Sequence, residues 1–544
     1  MRARCAVMMA YYRLLIFLLP VMFYLTTAID YTNGSPHIGH AYEKVLADVI
    51  TRYRRLRGDE AFFLTGVDQH GQKVQQTAEK EGVSPDVFVK RTTRKFLDLW
   101  EKLGVQYDGW AETTDQRHKD CVQSILLMLK QQGQLYKSAH SGHYSVRQEQ
   151  FLSDRDRDAA GNFGPEWGEV VVIEEENWYF KLSEHTAWLK SYLEGTPDAV
   201  LPVFRKAELL NAIERNSGTD LCISRPKERL HWGIEFPGDP DYVTYVWFDA
   251  LINYISFAGY HAAPDAGLPD FTRLWTSDER PVHIIGKDIL VPAHGIYWLC
   301  MLHAIGFSNE EMPRLLVHGW WNLRGEKMSK SIGNSVDPHE LAETFGTEAL
   351  RYYLVRDIAT GKDSDFDAER LVMLYNTELA NELGNLCNRA LNMSQRFTAG
   401  VLHRGGAFTE DDLALQTSLT QSTTAYRDAM DDFDISKALE ALNRHVAHCN
   451  GYAERMKPWE LNKNLENQDR LATVLYHLAE SVAHAAVLLS PVLPAAAAQL
   501  AAQLELPTLA HLKLPDLRWG LLPDAHLIGK PMPVFPKILL EKPA

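Results

Sequence analysis

The sequence lacks the cysteine spacing of a zinc knuckle or of a disulfide framework. Its six cysteines are scattered over 544 residues, and the closest pair, Cys387 and Cys449, lies far too widely apart for a C-x-x-C motif. A secreted scaffold held by disulfides is also excluded, because such scaffolds are short and dense in cysteine. The cysteine usage therefore indicates a reducing compartment, and we expect a cytoplasmic protein.

The sequence also has no excess of positive charge. Its 56 Lys and Arg are outnumbered by 71 Asp and Glu, so the formal net charge is −15, and a nucleic acid would have to bind a local patch. Hydrophobic residues make up 46% and charged residues 23%, which excludes disorder, collagen-like repeats and a polytopic membrane protein. We expect about three or four globular domains and no membrane partner.

The first 29 residues contain no acidic residue, and an apolar run over 14–25 is interrupted by Pro20. This run is similar to the apolar region of a signal peptide and is too short to span a bilayer. No small-x-small cleavage site follows it, and the run continues into 23–28, which we predict to be a core strand. We interpret residues 1–21 as an extension from an upstream start; an organellar leader and a secretion signal are the alternatives.

A strand–turn–helix–strand pattern follows. The β-prone run 23–28 leads to the turn residues Asn33-Gly34-Ser35-Pro36, and Ala61-Phe62-Phe63-Leu64-Thr65 is a second buried strand. Between them the apolar residues step by 3, 1, 3, 1 and 3, which matches one face of a helix; they are Tyr42, Val45, Leu46, Val49, Ile50 and Tyr53. This βαβ unit predicts a parallel α/β sheet.

The pattern changes twice further along the chain. Residues 136–218 contain short strands, charged loops and irregular aromatics, as in an insertion, and α/β alternation resumes near 242–254 and 282–290. From about 371 the chain is almost wholly helical, and residues 531–540 are predicted to be strand-like. Two apolar stripes predict packed helices; they are Leu379, Leu383, Leu386 and Ala390, and Leu439, Leu442, Val446 and Cys449.

Two short motifs carry the chemistry. Pro36-His37-Ile38-Gly39-His40 lies where the first strand meets the first helix, so unpaired helix N–H groups and two imidazoles face any anion bound there. Lys327-Met328-Ser329-Lys330-Ser331 lies in a glycine-flanked loop, where two lysines can meet a polyphosphate from the opposite side. Taken alone, either motif is also compatible with ordinary structural histidines or a solvated loop.

Together the two motifs resemble the HIGH and KMSKS signatures of class I aminoacyl-tRNA synthetases. Further segments narrow the resemblance to the methionyl-tRNA synthetase family, over about residues 22–544; they are 23–31, 33–40, 65–71, 245–250, 286–288 and 458–459. The interval from His40 to Lys327 is too short for the editing domain of leucyl-, isoleucyl- and valyl-type enzymes.

The resemblance implies a Rossmann-type parallel-sheet core split by an inserted connective domain and followed by an all-α anticodon-binding bundle. The implied divisions are an N-terminal extension 1–21, core halves 22–134 and 219–315, the insertion 135–218, a KMSKS-loop and stem-contact domain 316–370, and the helical domain with its C-terminal tail 371–544.

The resemblance also implies a methionine–tRNA ligase. ATP, with Mg²⁺, activates L-methionine to methionyl-adenylate with release of pyrophosphate, and methionine passes to the terminal adenosine of tRNA(Met). Catalysis is then mainly positioning and charge stabilisation. The implied catalytic residues are His37, His40, Lys327, Lys330 and Arg225, and the implied ATP-binding residues are Pro36, His37, Gly39, His40, Gly286, Lys287, Asp288, Lys327 and Lys330.

Two further sites follow from the resemblance. Asp68 is expected to bind the α-ammonium of methionine, within a pocket formed by Ala28, Ile29, Trp247, Ala250, Leu251, Tyr254 and His294. The anticodon is expected to meet an amide and arginine stripe that steps by four and an aromatic pair; these are Asn381, Asn385, Arg389, Pro458 and Trp459.

The sequence departs from the family in three places. Positions that match zinc ligands in relatives are Ser145, Gln148, Gly164 and Trp167, so no structural zinc is expected. The loop between Asp288 and His294 is about one residue longer than usual, which affects the placement of His294. The chain ends after the helical domain, without the C-terminal tRNA-binding module of many relatives, so we expect a monomer.

Three other functions compete with this one. A class I synthetase for another amino acid is the nearest, and a non-charging tRNA-binding paralogue is the second. The intact His37, His40, Lys327 and Lys330 argue against the paralogue. A small adenylyltransferase shares the H-x-G-H turn but would not explain the helical C-terminal half.

Overall fold

The computed structural model describes residues 22–539 apart from 147–149, 153, 155–156, 159, 217, 277–278, 328–335 and 508. The predicted N-terminal extension, 1–21, lies outside the described residues, as do Gln148 and Lys330.

A parallel sheet forms the centre of the N-terminal half, as the sequence predicted. Within the described residues the strand order is Gly109–Glu112, Glu60–Asp68, Met22–Thr27, Val282–Gly286, Arg314–His318 and Val200–Leu201. The short strand Asp30–Tyr31 follows Met22–Thr27 and pairs with the end of Glu60–Asp68. The central strands are buried on both faces, which explains their continuous apolar runs.

The helix predicted after the first turn spans Ile38–Arg57, and its six apolar residues that were predicted to share one face are all buried. It ends at Gly58, whose φ of 108° lies in the left-handed region that glycine adopts readily. Helices that flank the sheet complete this half; they are Gln72–Lys80, Pro85–Leu103, Gln116–Gln131, Val246–Leu251, Asn253–Ser256, Phe271–Trp275, Leu290–Trp298 and Leu299–Ala304.

An antiparallel sheet interrupts the core, in the order Gln150–Leu152, Leu135–Ser145, Val170–Phe180 and Leu221–Cys222. Helices Thr186–Gly195 and Val203–Asn216 follow it, and the strands Ser224–Pro226 and Tyr242–Thr244 pair beside it. Val200–Leu201 lies inside the predicted insertion, 135–218, yet it forms the edge of the central sheet. The chain therefore returns to the core before the insertion was expected to end.

A small domain connects the core to the helical half. Trp321–Leu323 pairs with Glu326–Lys327 and with Ser364–Asp365, and the helices Pro338–Phe345 and Thr347–Arg356 pack beside them. Arg351 in the second helix is 1% exposed and donates to Asp48 Oδ2 at 2.7 Å and to the carbonyls of Leu103 and Val492 at 3.0 and 2.9 Å. One guanidinium thus joins the first helix to the C-terminal half.

The C-terminal half is a helical bundle. Its helices are Ala368–Leu374, Tyr375–Leu383, Gly384–Thr398, Glu410–Asp431, Ile435–Met456, Pro458–Leu461, Gln468–Leu489 and Pro494–Gln503. Both predicted apolar stripes are buried between these helices. Among the described residues, Leu465–Leu489 has the length and hydropathy of a membrane span, but 94% of its apolar window is buried inside the protein, as in a core helix.

The strand predicted at 531–540 is wrong over its described part, since residues 531–539 have no regular secondary structure. Pro531, Pro533 and Pro536 remove three backbone donors, which a strand ladder would need. The tail instead lies along the bundle, and His526–Leu527 pairs with Val401–Leu402.

Candidate active site

A cavity of about 430 Å³ opens at the carboxyl ends of four neighbouring strands of the central sheet. Ala28, Asp68, Gly286 and His318, at or just after the ends of these strands, all line it. The first helix begins at its rim. Open parallel sheets bind their ligands in this position, and the volume suits a small metabolite.

The two histidines of the first motif are held by the start of that helix. His37 precedes the first helical residue, and its Nδ1 accepts the backbone N–H of Gly39 at 3.1 Å. The Nδ1 of His40 accepts the backbone N–H of His37 at 3.1 Å. A ring nitrogen that accepts carries no proton, so each neutral ring has its hydrogen on Nε2. Both rings are therefore set as Nε2–H donors at a helix N-terminus.

The rings also stack, with centroids 3.8 Å apart and planes inclined by 30°. Gly39 permits this arrangement, because a Cβ at that position would lie 2.9 Å from Cε1 of His37. His37, Gly39 and His40 all line the cavity, whereas Pro36 lies just before them and is not part of its lining.

A buried charge network, which sequence reasoning missed, lies beneath the histidines. Lys44 is 0% exposed, and its Nζ donates to Ala28 O at 2.9 Å, Asp30 Oδ1 at 2.8 Å and Glu43 Oε1 at 2.7 Å. Glu43 Oε2 accepts from His318 Nε2 at 3.0 Å. Asp30, Glu43 and His318 line the cavity. The sequence held little signal for it, because Glu43 and Lys44 lie off the apolar stripe of the predicted helix.

Burial raises the pKa of Asp30 to about 7 despite the nearby Lys44. Although burial also opposes the charge on the other two groups, ion pairing prevails: the pKa of Glu43 is lowered and that of Lys44 is raised. Asp30 Oδ2 has no hydrogen-bond partner among the described residues, and Asp30 Oδ1 lies 3.9 Å from His40 Nε2.

The predicted amino-acid pocket is assembled in the same cavity. Its lining includes every residue that the sequence placed there, namely Ala28, Ile29, Asp68, Trp247, Ala250, Leu251, Tyr254 and His294. Asp68 is 7% exposed, and its Oδ1 accepts from the Thr113 hydroxyl and from the His70 backbone N–H, both at 3.3 Å. An acidic group thus faces one end of a mostly apolar pocket.

Tyr254 and His294 form the polar part of the pocket wall. His294 Nδ1 lies 2.9 Å from the carbonyl of Ile289, so this nitrogen carries the ring hydrogen. Nε2 then accepts the Tyr254 hydroxyl at 2.7 Å. Burial lowers the pKa of His294 to about 4, so the ring is neutral at pH 7. The longer loop before His294 forms a π-helical turn, Leu290–Trp298, and still places the ring in the pocket.

The end of the strand Val282–Gly286 and the loop after it contribute Gly286 and Asp288 to the cavity lining. Asp288 Oδ1 accepts from the Trp320 indole at 3.2 Å. Lys287 does not line the cavity; its Nζ binds Asp363 and lies 3.9 Å from the Trp320 ring centroid. A Cβ on Gly286 would lie 2.7 Å from Asp288 Oδ1, which explains the glycine.

Of the other three predicted catalytic residues, Arg225 does not line the cavity, whereas the side chain of Lys327 and the whole of Lys330 lie outside what the structure describes. Arg225 is 3% exposed, donates to Ser224 O at 2.7 Å and lies 4.2 Å from the Tyr245 ring centroid, outside the cavity lining. Lys327 ends the strand Glu326–Lys327, and Lys330 lies outside the described residues. Their roles stay predictions.

The predicted anticodon residues all lie on helices of the bundle. Asn381 ends up on the π-helical segment Tyr375–Leu383, and Asn385 and Arg389 lie on the α-helix that continues it. Arg389 pairs with Glu454, and its guanidinium lies 6.0 Å from the ring centroid of Trp459. Pro458 begins the helix that carries Trp459. The Arg389 end of the stripe therefore lies beside Trp459.

Two of the four positions that match zinc ligands in relatives, Ser145 and Trp167, are joined by a hydrogen bond. The Ser145 hydroxyl donates to the carbonyl of Trp167 at 2.5 Å, and Val146 N–H donates to Glu169 O at 3.0 Å. Across the described part of the chain, no group of three or more His, Cys, Asp or Glu side chains could hold a metal ion.

Comparisons with known proteins agree with this geometry. A family model described as class I tRNA synthetases (M) matches residues 23–161 and 167–391, and one described as the anticodon binding domain of methionyl tRNA ligase matches 402–543. The methionine–tRNA ligase of Rhizobium meliloti is 37% identical over 95% of this chain and 98% of its own, and that of Fusobacterium nucleatum is 36% identical over 96% and 80%. A solved structure, Mycobacterium tuberculosis methionyl-tRNA synthetase in complex with methionyl-adenylate, is 35% identical, with a TM-score of 0.88 over 95% of this chain and 100% of its own.

Proposed function

Because this chain belongs to the methionyl-tRNA synthetase family of class I aminoacyl-tRNA synthetases, we propose that the cavity at the sheet edge carries out both steps of that family's reaction. The protein is an ATP-dependent methionine–tRNA ligase. It activates L-methionine with ATP to methionyl-adenylate, releases pyrophosphate, and transfers methionine to the 3′-terminal adenosine of tRNA(Met) for initiation and elongation.

His37 and His40 stabilise the phosphate charge that develops when the methionine carboxylate attacks the α-phosphorus. Their Nε2–H groups and the helix N-terminus supply donors that are already oriented before the substrate arrives, so little reorganisation is needed at the reaction. ATP enters as its magnesium complex, which partly neutralises the phosphate oxygens. Lys327 and Lys330 then bind the leaving pyrophosphate, and Arg225 acts near the reacting centre.

The amino acid lies between Asp68 and the apolar wall. Asp68 pairs with the α-ammonium, and Trp247, Ala250 and Leu251 surround the thioether. The Tyr254 hydroxyl is already donated to His294, so the pair presents a neutral, fixed polar edge toward the sulfur. Gly286 and Asp288 contact the nucleotide. Such a wall favours methionine by shape, at about 1–3 kcal/mol per methylene.

The observation that carries this proposal is a single cavity lined by both motif histidines, Asp68 and the complete apolar pocket. We expect ATP–pyrophosphate exchange to depend on methionine alone among the twenty amino acids, and to collapse in His37→Ala and Lys330→Ala. Exchange with another amino acid would keep the enzyme class and reject the pocket assignment. No exchange with any amino acid, in a folded protein made from the correct start, would favour the non-charging paralogue.

The bundle reads the anticodon through Asn381, Asn385, Arg389, Pro458 and Trp459. We expect Trp459→Ala to raise the KM for tRNA(Met) by about 10- to 100-fold, because stacking of one base on an aromatic contributes about 1–3 kcal/mol. Pyrophosphate exchange without tRNA should stay unchanged. Trp459→Phe retains a ring and should lie near wild type; an unchanged KM for tRNA in Trp459→Ala would reject this assignment.

A monomeric state, a cytoplasmic location and the lack of structural zinc complete the proposal. The hydrogen bond from Ser145 to Trp167 supports the last of these, because it links two positions that a zinc ion links in relatives.

A further inference from the structure

A fully buried carboxylate lies on the back of the helix that forms the pocket wall. Helix Val246–Leu251 presents Trp247 and Ala250 to the cavity, whereas Asp249 is 0% exposed and is not part of the lining. Asp249 lies within the segment 245–250 that carries the family resemblance, but the proposed mechanism gives it no role.

Each oxygen of Asp249 binds a histidine from a different element. His70 Nδ1 lies 2.6 Å from Oδ2, and His118 Nε2 lies 2.8 Å from Oδ1. The other nitrogen of the His118 ring lies 2.8 Å from the Ser256 hydroxyl. Burial raises the pKa of Asp249, but the two histidines outweigh burial and keep this pKa below its ordinary value. The carboxylate is therefore ionised and fixed from two sides.

His70 connects this carboxylate to the other end of the amino-acid site. It lies two residues after Asp68, and its backbone N–H donates to Asp68 Oδ1 at 3.3 Å while its ring binds Asp249. A short, fully buried path thus runs from Asp68 through His70 to the helix that carries Trp247 and Ala250.

We propose that Asp249 is a positioning residue that fixes the span between the carboxylate of Asp68 and the pocket wall, and thereby sets the side-chain length that the enzyme accepts. The inference rests on the proposed function, in which Asp68 holds the α-ammonium. A substrate is held at one end by its α-ammonium, so the distance from there to the opposite wall selects the length of its side chain. This selection works only if the wall cannot move. Misplacement by about 1 Å can cost about a hundred-fold in rate.

The test compares two substitutions of His70 with one of Asp249. Asparagine at position 70 places its amide nitrogen where ring Nδ1 was and retains the donor to Asp249, whereas leucine of similar size has none. We expect His70→Leu and Asp249→Asn to raise the KM for methionine about ten-fold in pyrophosphate exchange, with the KM for ATP changed by less than about two-fold. The preference for methionine over ethionine, one methylene longer, should fall by about ten-fold, and His70→Asn should stay near wild type.

Glu480→Gln is the matched control for loss of a buried carboxylate. Glu480 is 0% exposed in the bundle and accepts from His484 at 3.1 Å and from the backbone of Gly520 and Leu522 at 2.7 and 2.9 Å. Its substitution should lower the thermal midpoint and leave the methionine KM and the ethionine ratio unchanged.

Three outcomes would overturn the inference. The methionine KM and the ethionine ratio could stay at wild-type values in both His70→Leu and Asp249→Asn. Both substrates could instead lose affinity equally, or His70→Asn could behave like His70→Leu. If Asp249→Asn does not fold, the two His70 variants decide alone. Wild-type protein without methionine-dependent exchange would reject the proposed function itself, which separates the two failures.

Discussion

Replacing His40 by alanine is expected to slow methionyl-adenylate formation by about 10²- to 10³-fold, because loss of one oriented donor to a developing oxyanion costs about 2.7–4 kcal/mol. The His40 ring is fixed by the His37 backbone N–H on Nδ1 and so presents Nε2–H at the helix N-terminus. Single-turnover measurement of adenylate formation, with saturating methionine and ATP, reports this step directly.

Nδ1 of His40 caps the helix and Nε2–H is the donor to the substrate, so two amide substitutions can separate the loss of the cap from the loss of the donor. His40→Asn can place its oxygen at the Nδ1 position, where it would still accept from His37 and retain the cap, worth about 1 kcal/mol, but it lacks the distal donor. His40→Gln retains a donor near Nε2 and loses the cap. We expect His40→Asn to be as slow as alanine and stable, and His40→Gln to recover part of the rate. A near wild-type rate in His40→Asn, with His40→Gln as slow as alanine, would show that the cap, and not the Nε2–H group, accounts for the loss.

The sequence predicted those features of this site that depend on local pattern. The first helix follows from apolar spacing over Tyr42–Tyr53 and from turn residues before it, because a helix buries residues three and four apart. The residues lining the cavity were placed by matching motifs, and the structure brings them to neighbouring strand ends. Their chemical roles are proposals that the variants above test.

Contacts between distant segments could not be predicted in the same way. Glu43 meets His318, 275 positions away, and Arg351 meets Asp48, 303 positions away. No periodicity encodes such a pair, since each partner alone resembles an ordinary charged residue. Glu43 and Lys44 lie off the apolar stripe of their helix, so the pattern gives no sign that they are buried.

The strand predicted near the C-terminus was wrong, and the predicted end of the insertion missed a core strand within it. The run 531–540 contains β-prone residues, but its prolines leave too few N–H donors for a ladder. The insertion was expected to end at 218, yet the two-residue strand Val200–Leu201 within it pairs with the core. A strand this short has no alternation pattern that a sequence can show.

Lys44→Met is expected to lower the free energy of unfolding by about 3–5 kcal/mol, since it leaves an unpaired charge in the interior. In the wild type Lys44 Nζ donates to Asp30 Oδ1 at 2.8 Å and to Glu43 Oε1 at 2.7 Å, and Glu43 Oε2 lies 3.0 Å from His318 Nε2.

A charge-balanced double substitution tests this account. Lys44→Met/Asp30→Asn removes one cation and one anion, keeps the Glu43–His318 pair, and should recover at least half of the lost stability in urea titrations followed by tryptophan fluorescence.

The loss of stability in the single variant Lys44→Met should also depend on pH. The pKa of Asp30 is about 7 with Lys44 present, above its unfolded value of about 3.9, and it should rise further without the lysine. Stability falls with rising pH between the unfolded and the folded pKa of such a carboxyl group. Because loss of the lysine extends this fall beyond pH 7, the cost of Lys44→Met should be constant below about pH 7 and grow above it. A cost that is independent of pH, or a double variant no more stable than the single one, would mean that lost packing of the lysine stem, and not buried charge, determines the effect.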